Sequence, residues 1–189
     1  RIDRDLIPSA AMPYREGLEV LLSPASVDFA YPAPIQYQNL DLCLMACRQA
    51  YDYIVIDAPR VPIEVATKLA RASEQVLVVM QLTVKDLHVA RQTMTTLGER
   101  GVPEERLVPV INRYHKKRSM IDLAAARKAL GQAGRPWLMH NDYSNALRSA
   151  NFGKTLAQVA PRSLLRRDLA GLADRLRTRN GSNGKEAQA

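Results

Sequence analysis

Tyr51-Asp52-Tyr53-Ile54-Val55-Ile56-Asp57-Ala58-Pro59 decides how this chain is read. An aromatic and β-branched run ends in a single carboxylate and is followed at once by Ala58-Pro59. Such a run reads as a parallel strand buried on both faces and ending at the edge of a sheet. Open α/β sheets bind ligands outside the carboxyl ends of their strands. An aspartate at that edge is placed to hold a Mg²⁺-bound water beside a nucleotide phosphate. The competing reading is a strand whose last residue caps the next turn.

The rest of the chain alternates strands and helices around this segment. Gly17–Leu22 reads as a short strand ended by Ser23-Pro24, and a polar, proline-containing connection (25–38) leads to a helix over Leu40–Ala50. After the Asp57 strand the pattern predicts a helix over Ile63–Ala72, a strand over Gln75–Gln81, and a helix over Lys85–Arg100 stopped by Gly101. Leu107–Asn112 is a further apolar strand. Ser119–Leu130 is a helix with Ser119 as its N-cap and Asp122 at the third position. Pro136–Met139 is a last short strand, with helices from Tyr143 and Ser163 beyond it. This alternation argues for an α/β fold, a mostly parallel sheet flanked by helices.

Composition bounds the possibilities. At 189 residues and 47% apolar content the chain can bury a core without disulfides, and its 5% aromatic content suits an α/β domain. Cys43 and Cys47 are the only cysteines, which excludes a disulfide framework and points to a reducing cytoplasm. Their spacing puts both on one helix face, as small core residues. No stretch has the length of a membrane span, and Arg1 opens onto charged residues rather than an apolar signal core. The net charge of +8 permits contact with nucleic acid or an anionic membrane. Arg162, Arg166, Arg167, Arg175, Arg177 and Arg179 crowd the C-terminal third. Among them Leu165, Leu169, Leu172 and Leu176 form an apolar helical stripe with a basic face opposite. Residues 179–189 read as a polar, disordered tail.

Five further motifs stand in a fixed order with the first: Leu82-Thr-Val-Lys-Asp-Leu-His-Val-Ala-Arg91, Val110-Ile-Asn-Arg-Tyr114, Asn141-Asp142-Tyr143, Asn151-Phe-Gly-Lys-Thr-Leu156 and Ala160-Pro-Arg-Ser163. As a set they resemble the later part of a MinD/ParA-type P-loop ATPase of the deviant Walker superfamily, closest to its CpaE/TadZ branch. That branch is associated with assembly and polar placement of Flp/Tad type IVc pili. The resemblance covers residues 1–178 as the later part of an ATPase domain.

The resemblance implies ATP and Mg²⁺ as cofactors. It implies a catalytic role for Asp57, which would reach the metal through water, and adenine contacts from Asn112, Asn141 and Asp142. It also implies a homodimer formed with nucleotide, and partners among the pilus assembly machinery, polar localisation proteins or a membrane-associated complex. The expected location is the cytoplasm, at a pole or the inner-membrane face. Two alternatives stand beside this reading: a localisation module that does not hydrolyse ATP, and a ParA-like partitioning protein that binds DNA non-specifically.

Three departures bear on these expectations. Relatives commonly carry a proline where this chain has His140. Asp57-Ala58-Pro59-Arg60 lacks the glycine that lets a backbone amide approach the γ-phosphate. The third is the phosphate cradle, a glycine-rich loop ending in Gly-Lys-Ser/Thr. The only Gly-Lys-Thr here is Gly153-Lys154-Thr155; Arg148 stands where the first loop glycine is required, and the tripeptide follows a helical segment. The chain therefore reads as starting downstream of the P-loop, incomplete on its N-terminal side.

Overall fold

The computed structural model describes residues 6–22, 37–59, 61–116, 119–131 and 135–186, with side-chain environments through residue 177. Arg60 and most of the connection over 25–38 lie outside the described residues. The chain divides into two compact units, residues 1–66 and 67–189.

The first unit contains a short helix α1 (Leu6–Ala10), strands β1 (Met12–Arg15) and β2 (Leu18–Val20), and helix α2 (Leu40–Ala50). β1 and β2 pair antiparallel, so the strand expected over Gly17–Leu22 is one arm of a hairpin. Gly17 turns it at φ +72°, a left-handed conformation that costs glycine little. Cys43 and Cys47 are half-buried free thiols, and Ala46 between them is the fully buried residue of the helix. Burial, with Cys43 beside it, raises the pKa of Cys47 and keeps its thiol protonated.

The segment that opened the sequence reading departs from expectation. Residues 53–58 form no strand, and Val55 is 96% exposed, with Tyr53, Ile54 and Ile56 also exposed. Apolar composition expresses a need for cover, but a strand exists only where neighbouring backbone supplies its ladder. Among the described residues of this unit, the paired strands are β1 and β2, which bond only to each other.

The second unit holds the parallel sheet. The division between the units falls inside α3 (Ile63–Ala72), the range the sequence predicts. Then come β3 (Val76–Met80), α4 (Val84–Glu99), β4 (Leu107–Tyr114), α5 (Leu123–Leu130), β5 (Trp137–His140), α6 (Tyr143–Asn151), α7 (Leu156–Val159) and α8 (Leu164–Glu186). The order β3-β4-β5 is parallel throughout, with Val76 opposite Leu107 and Val110 opposite Trp137. Ile111 packs with Met80, Leu87, Ala90, Ala126 and Leu130, under α4 and α5. Val108 and Val110 point to the other face, with Met139 of β5 and against Leu172 of α8.

Caps fix the helix boundaries. Thr83 accepts a hydrogen bond from the Asp86 amide at 3.1 Å while Asp86 accepts one from Gln81, so α4 starts there. Gly101 (φ +82°) ends it, with the Val102 amide bonded to the Leu97 carbonyl. Leu87, Ala90, Met94 and Leu97 turn inward, whereas Val89 is exposed. For α5 the cap is Asp122, which accepts from the Ala125 amide at 2.7 Å, so the helix starts later than a Ser119 cap predicts. Ser119 instead donates to the His115 carbonyl. α8 continues to Glu186, beyond the boundary at 178 that composition suggests.

Two measurements follow. Ile111 is completely buried at the centre of the sheet. Ile111→Ala should lower stability in urea by about 2–5 kcal/mol, the usual cost of emptying such a site. In the first unit the Tyr51 phenol donates to the Glu19 carboxylate, which pushes its pKa up to about 12. The protonated phenol is the bonded form. That stabilisation is therefore complete below the ordinary value of 10.0 and lost as pH rises through about 12. A phenolate absorbance titration should show a late component that Glu19→Gln removes.

Candidate nucleotide site at the strand ends

The carboxyl ends of β4 and β5 gather the polar residues of the sheet. β4 is buried from Leu107 to Ile111 and then breaks register: Ile111 faces Leu138, but Tyr114 faces His140. That extra residue is a bulge, a device that re-aims side chains at the edge of a sheet. Arg113 sits in it at φ +53°, and the Asn112 Oδ1 accepts the Arg113 amide at 2.8 Å. Asn112 is half-buried, and among the described residues its Nδ2 has no protein partner.

The following loop returns to the same edge. The Asn141 amide donates to the Tyr114 carbonyl at 2.9 Å, which holds the exposed Asn141 beside the end of β4. Asp142 is used differently. Both of its carboxylate oxygens lie 3.0 Å from the Asn145 Nδ2, and Ser163 Oγ donates to Oδ2 at 2.6 Å. The hydrogen bonds from Ser163 and then Asn145 lower the pKa of Asp142. Its carboxylate thus ties the loop to the start of α8. The structure brings Asn112, Asn141 and Asp142 to one sheet edge. Asp57 belongs to the other unit, exposed on the unpaired segment.

Sequence reasoning missed the residue that organises this edge. Asp168 takes an inward position of α8, between Leu165 and Leu172, while Leu169, assigned to the apolar stripe by spacing, is 47% exposed. Asp168 Oδ2 accepts both the His140 amide at 2.8 Å and its Nδ1–H at 2.7 Å. Its carbonyl accepts from Trp137 Nε1 at 3.3 Å. The available signal was a lone acid following Arg166-Arg167 in phase with buried leucines.

Gly153-Lys154-Thr155 has a complete local explanation. Gly153 (φ +58°) closes α6, with the Lys154 amide on the Ser149 carbonyl. Thr155 opens α7 through a capping box with Gln158. The tripeptide joins two helices and does not follow a strand.

The strand-end set fits a purine base. Asn112 offers two N–H donors and a remaining Oδ1 lone pair, the combination that pairs with N7 and N6 of adenine. Guanine carries acceptors at both of its corresponding positions, so Oδ1 would oppose its O6. Among the described residues no group of three His, Cys, Asp or Glu side chains could hold a metal ion. A single carboxylate acting through water, with nucleotide phosphates completing the shell, is an ordinary way to hold Mg²⁺, and Asp57 could serve so. No described helix is long and apolar enough to cross a membrane.

Among solved structures the chain is similar to a ParA family ATPase from Chlorobium tepidum TLS. The two superpose with a TM-score of 0.78 over 92% of this chain and 70% of that one, at 22% sequence identity. The fold is that of a ParA-like P-loop NTPase. No family model and no curated protein sequence matches the chain.

Asp142 gives this edge an acid limit. Because its pKa is depressed, its hydrogen bonds stabilise the fold fully above the ordinary value of 3.8 and are lost as pH falls below it. Asp142→Asn should therefore flatten the stability profile below that pH, read by fluorescence of Trp137 during acid titration.

Proposed function

We propose that this chain carries the base-binding site of a MinD/ParA-type ATPase of the CpaE/TadZ kind. In this reading it acts in assembly or polar placement of Flp/Tad pili and works as a nucleotide-dependent homodimer. The observation that carries the nucleotide reading is the β4 bulge, which presents the Asn112 carboxamide at the carboxyl edge of a ParA-like sheet. Asn112 would read the adenine edge, and Asn141 would line the base from the adjoining loop. Asp57 would hold the water shell of Mg²⁺, which neutralises phosphate charge when bound. Pilus partners, the dimer and a polar or membrane-face location rest on the motif order of the sequence.

This division of labour makes a specific prediction for the chain as it stands. Gly153-Lys154-Thr155 joins two helices and holds no phosphate in this reading, which leaves the base contacts at the strand ends to carry the affinity. Binding should be weak, on the order of millimolar, and nearly the same for adenosine and for ATP. Adenosine binding, which involves no phosphate, should not need Mg²⁺ and should be favoured over guanosine binding. Ligand-detected NMR, with chemical shifts at Asn112 and Asn141, measures all of this. Asn112→Ala should weaken adenosine binding about tenfold. Adenosine that leaves both residues unshifted at saturating concentration would refute the reading. ATP binding far tighter than adenosine would locate a phosphate site elsewhere in the chain.

A further inference from the structure

We propose that His140 is the positioning residue of the base site, and that it acts through the Asp168 carboxylate to fix Asn141 beside β4. The role rests on the reading of the strand ends as a base site, but its geometry stands independently. His140 is the last residue of β5 and Asn141 the next. One oxygen of Asp168 accepts both N–H groups of His140, at 2.8 and 2.7 Å, so the strand end is held at two points by a single charge. Hydrogen bonds to a carboxylate are roughly twice as strong as neutral ones. The Asp168 side chain is only 13% exposed, which adds to the cost of leaving it without those donors.

The other contacts of the loop complete a clamp. Asp142 is tied by Ser163 to the start of α8, and His140 is tied by Asp168 farther along the same helix. Asn141 lies between these two anchors, with its amide on Tyr114. The Tyr114 and His140 rings stand in a T-shaped arrangement with centroids 6.1 Å apart, which limits rotation of the imidazole. Asp168 also receives Trp137, the first residue of β5, and Arg175 covers that indole at 5.5 Å. α8 therefore registers β5 at both ends.

The placement of the acid argues for its task. A leucine at 168 would continue the buried face formed by Leu165 and Leu172. A carboxylate there carries a desolvation cost that burial of apolar surface does not repay. What it gains is control over the conformation of residues 140–142.

The test compares His140→Ala, which removes the ring donor, with His140→Asn, which keeps an N–H near the Nδ1 position. Amide hydrogen exchange in the full chain is the first readout. His140→Ala should raise exchange at Asn141 about tenfold or more, leave Val76–Met80 on the opposite edge unchanged, and be rescued by His140→Asn. Unchanged exchange at Asn141, or equal acceleration along all three strands, would overturn the proposal. Should His140→Ala fail to fold, Asp168→Asn, which weakens the acceptor without emptying the site, is judged by the same pattern. Adenosine affinity is the second readout, and it should fall in His140→Ala and recover in His140→Asn. If wild-type protein does not bind adenosine, the base-site reading fails, and the positioning role is decided by exchange alone.

Discussion

The second unit depends on the burial of one strand on all sides. β4 runs from Leu107 to Ile111 without an exposed residue, bonded to β3 on one edge and β5 on the other. A strand so placed has no water for its backbone, so every N–H and C=O must find a partner in its neighbours. Its side chains alternate between two cores: Ile111 goes under α4 and α5, while Val108 and Val110 go under α8. The register of β3 and β5, and the faces on which helices dock, follow from these demands. The constraint ends abruptly after Ile111, where the bulge breaks the pairing with β5. Polar residues begin at that point, because the carboxyl edge is the first place where β4 can present them.

Much of this was legible in the sequence. The runs Val76–Met80 and Leu107–Ile111 are short, apolar and rich in β-branched residues, and such runs are strands wherever helices cover both faces. Helix ends were legible where the stop is strong, as at Gly101, and less so where the start was placed by pattern alone, as at α4, whose Thr83 cap puts it at Val84, or where two candidates compete. At α5 both Ser119 and Asp122 can cap, and the Asp122 carboxylate engages the Ala125 amide. The segment before Asp57 is the instructive failure. Its composition is as strand-like as that of β3, yet Val55 stands in solvent. Apolar content reports what a segment would gain from cover, and pairing depends on partners that the segment does not itself contain.

The site was legible unevenly, for a similar reason. The place of Asn112 at the carboxyl edge was readable, because an apolar strand run leads into it, but the adenine contact expected of it came from the resemblance of the motif set. The different uses of Asn141 and Asp142 were not readable. Nothing local distinguishes an exposed asparagine from a neighbouring aspartate whose carboxylate is committed to Ser163 and Asn145. Asp168 is more distant still. Its partners Trp137 and His140 are 31 and 28 residues away in sequence, and only the packing of α8 on β5 brings them together.

The strain at Arg113 shows how the edge is maintained. A left-handed backbone costs a non-glycine residue about 1–2 kcal/mol, and glycine would avoid that cost. The Arg113 amide, however, is bonded to the Asn112 side chain at 2.8 Å. A local hydrogen bond of that kind contributes about 0.5–1.5 kcal/mol, enough to offset most of the strain. The two residues therefore stabilise one conformation jointly. In that conformation one lone pair of the Asn112 oxygen is bonded to its own chain, which leaves the second lone pair and the two N–H donors for a ligand. Glycine at 113 would relieve the strain but enlarge the range of backbone angles open to the bulge. The strained arginine restricts that range, and the orientation of the Asn112 carboxamide follows from the restriction.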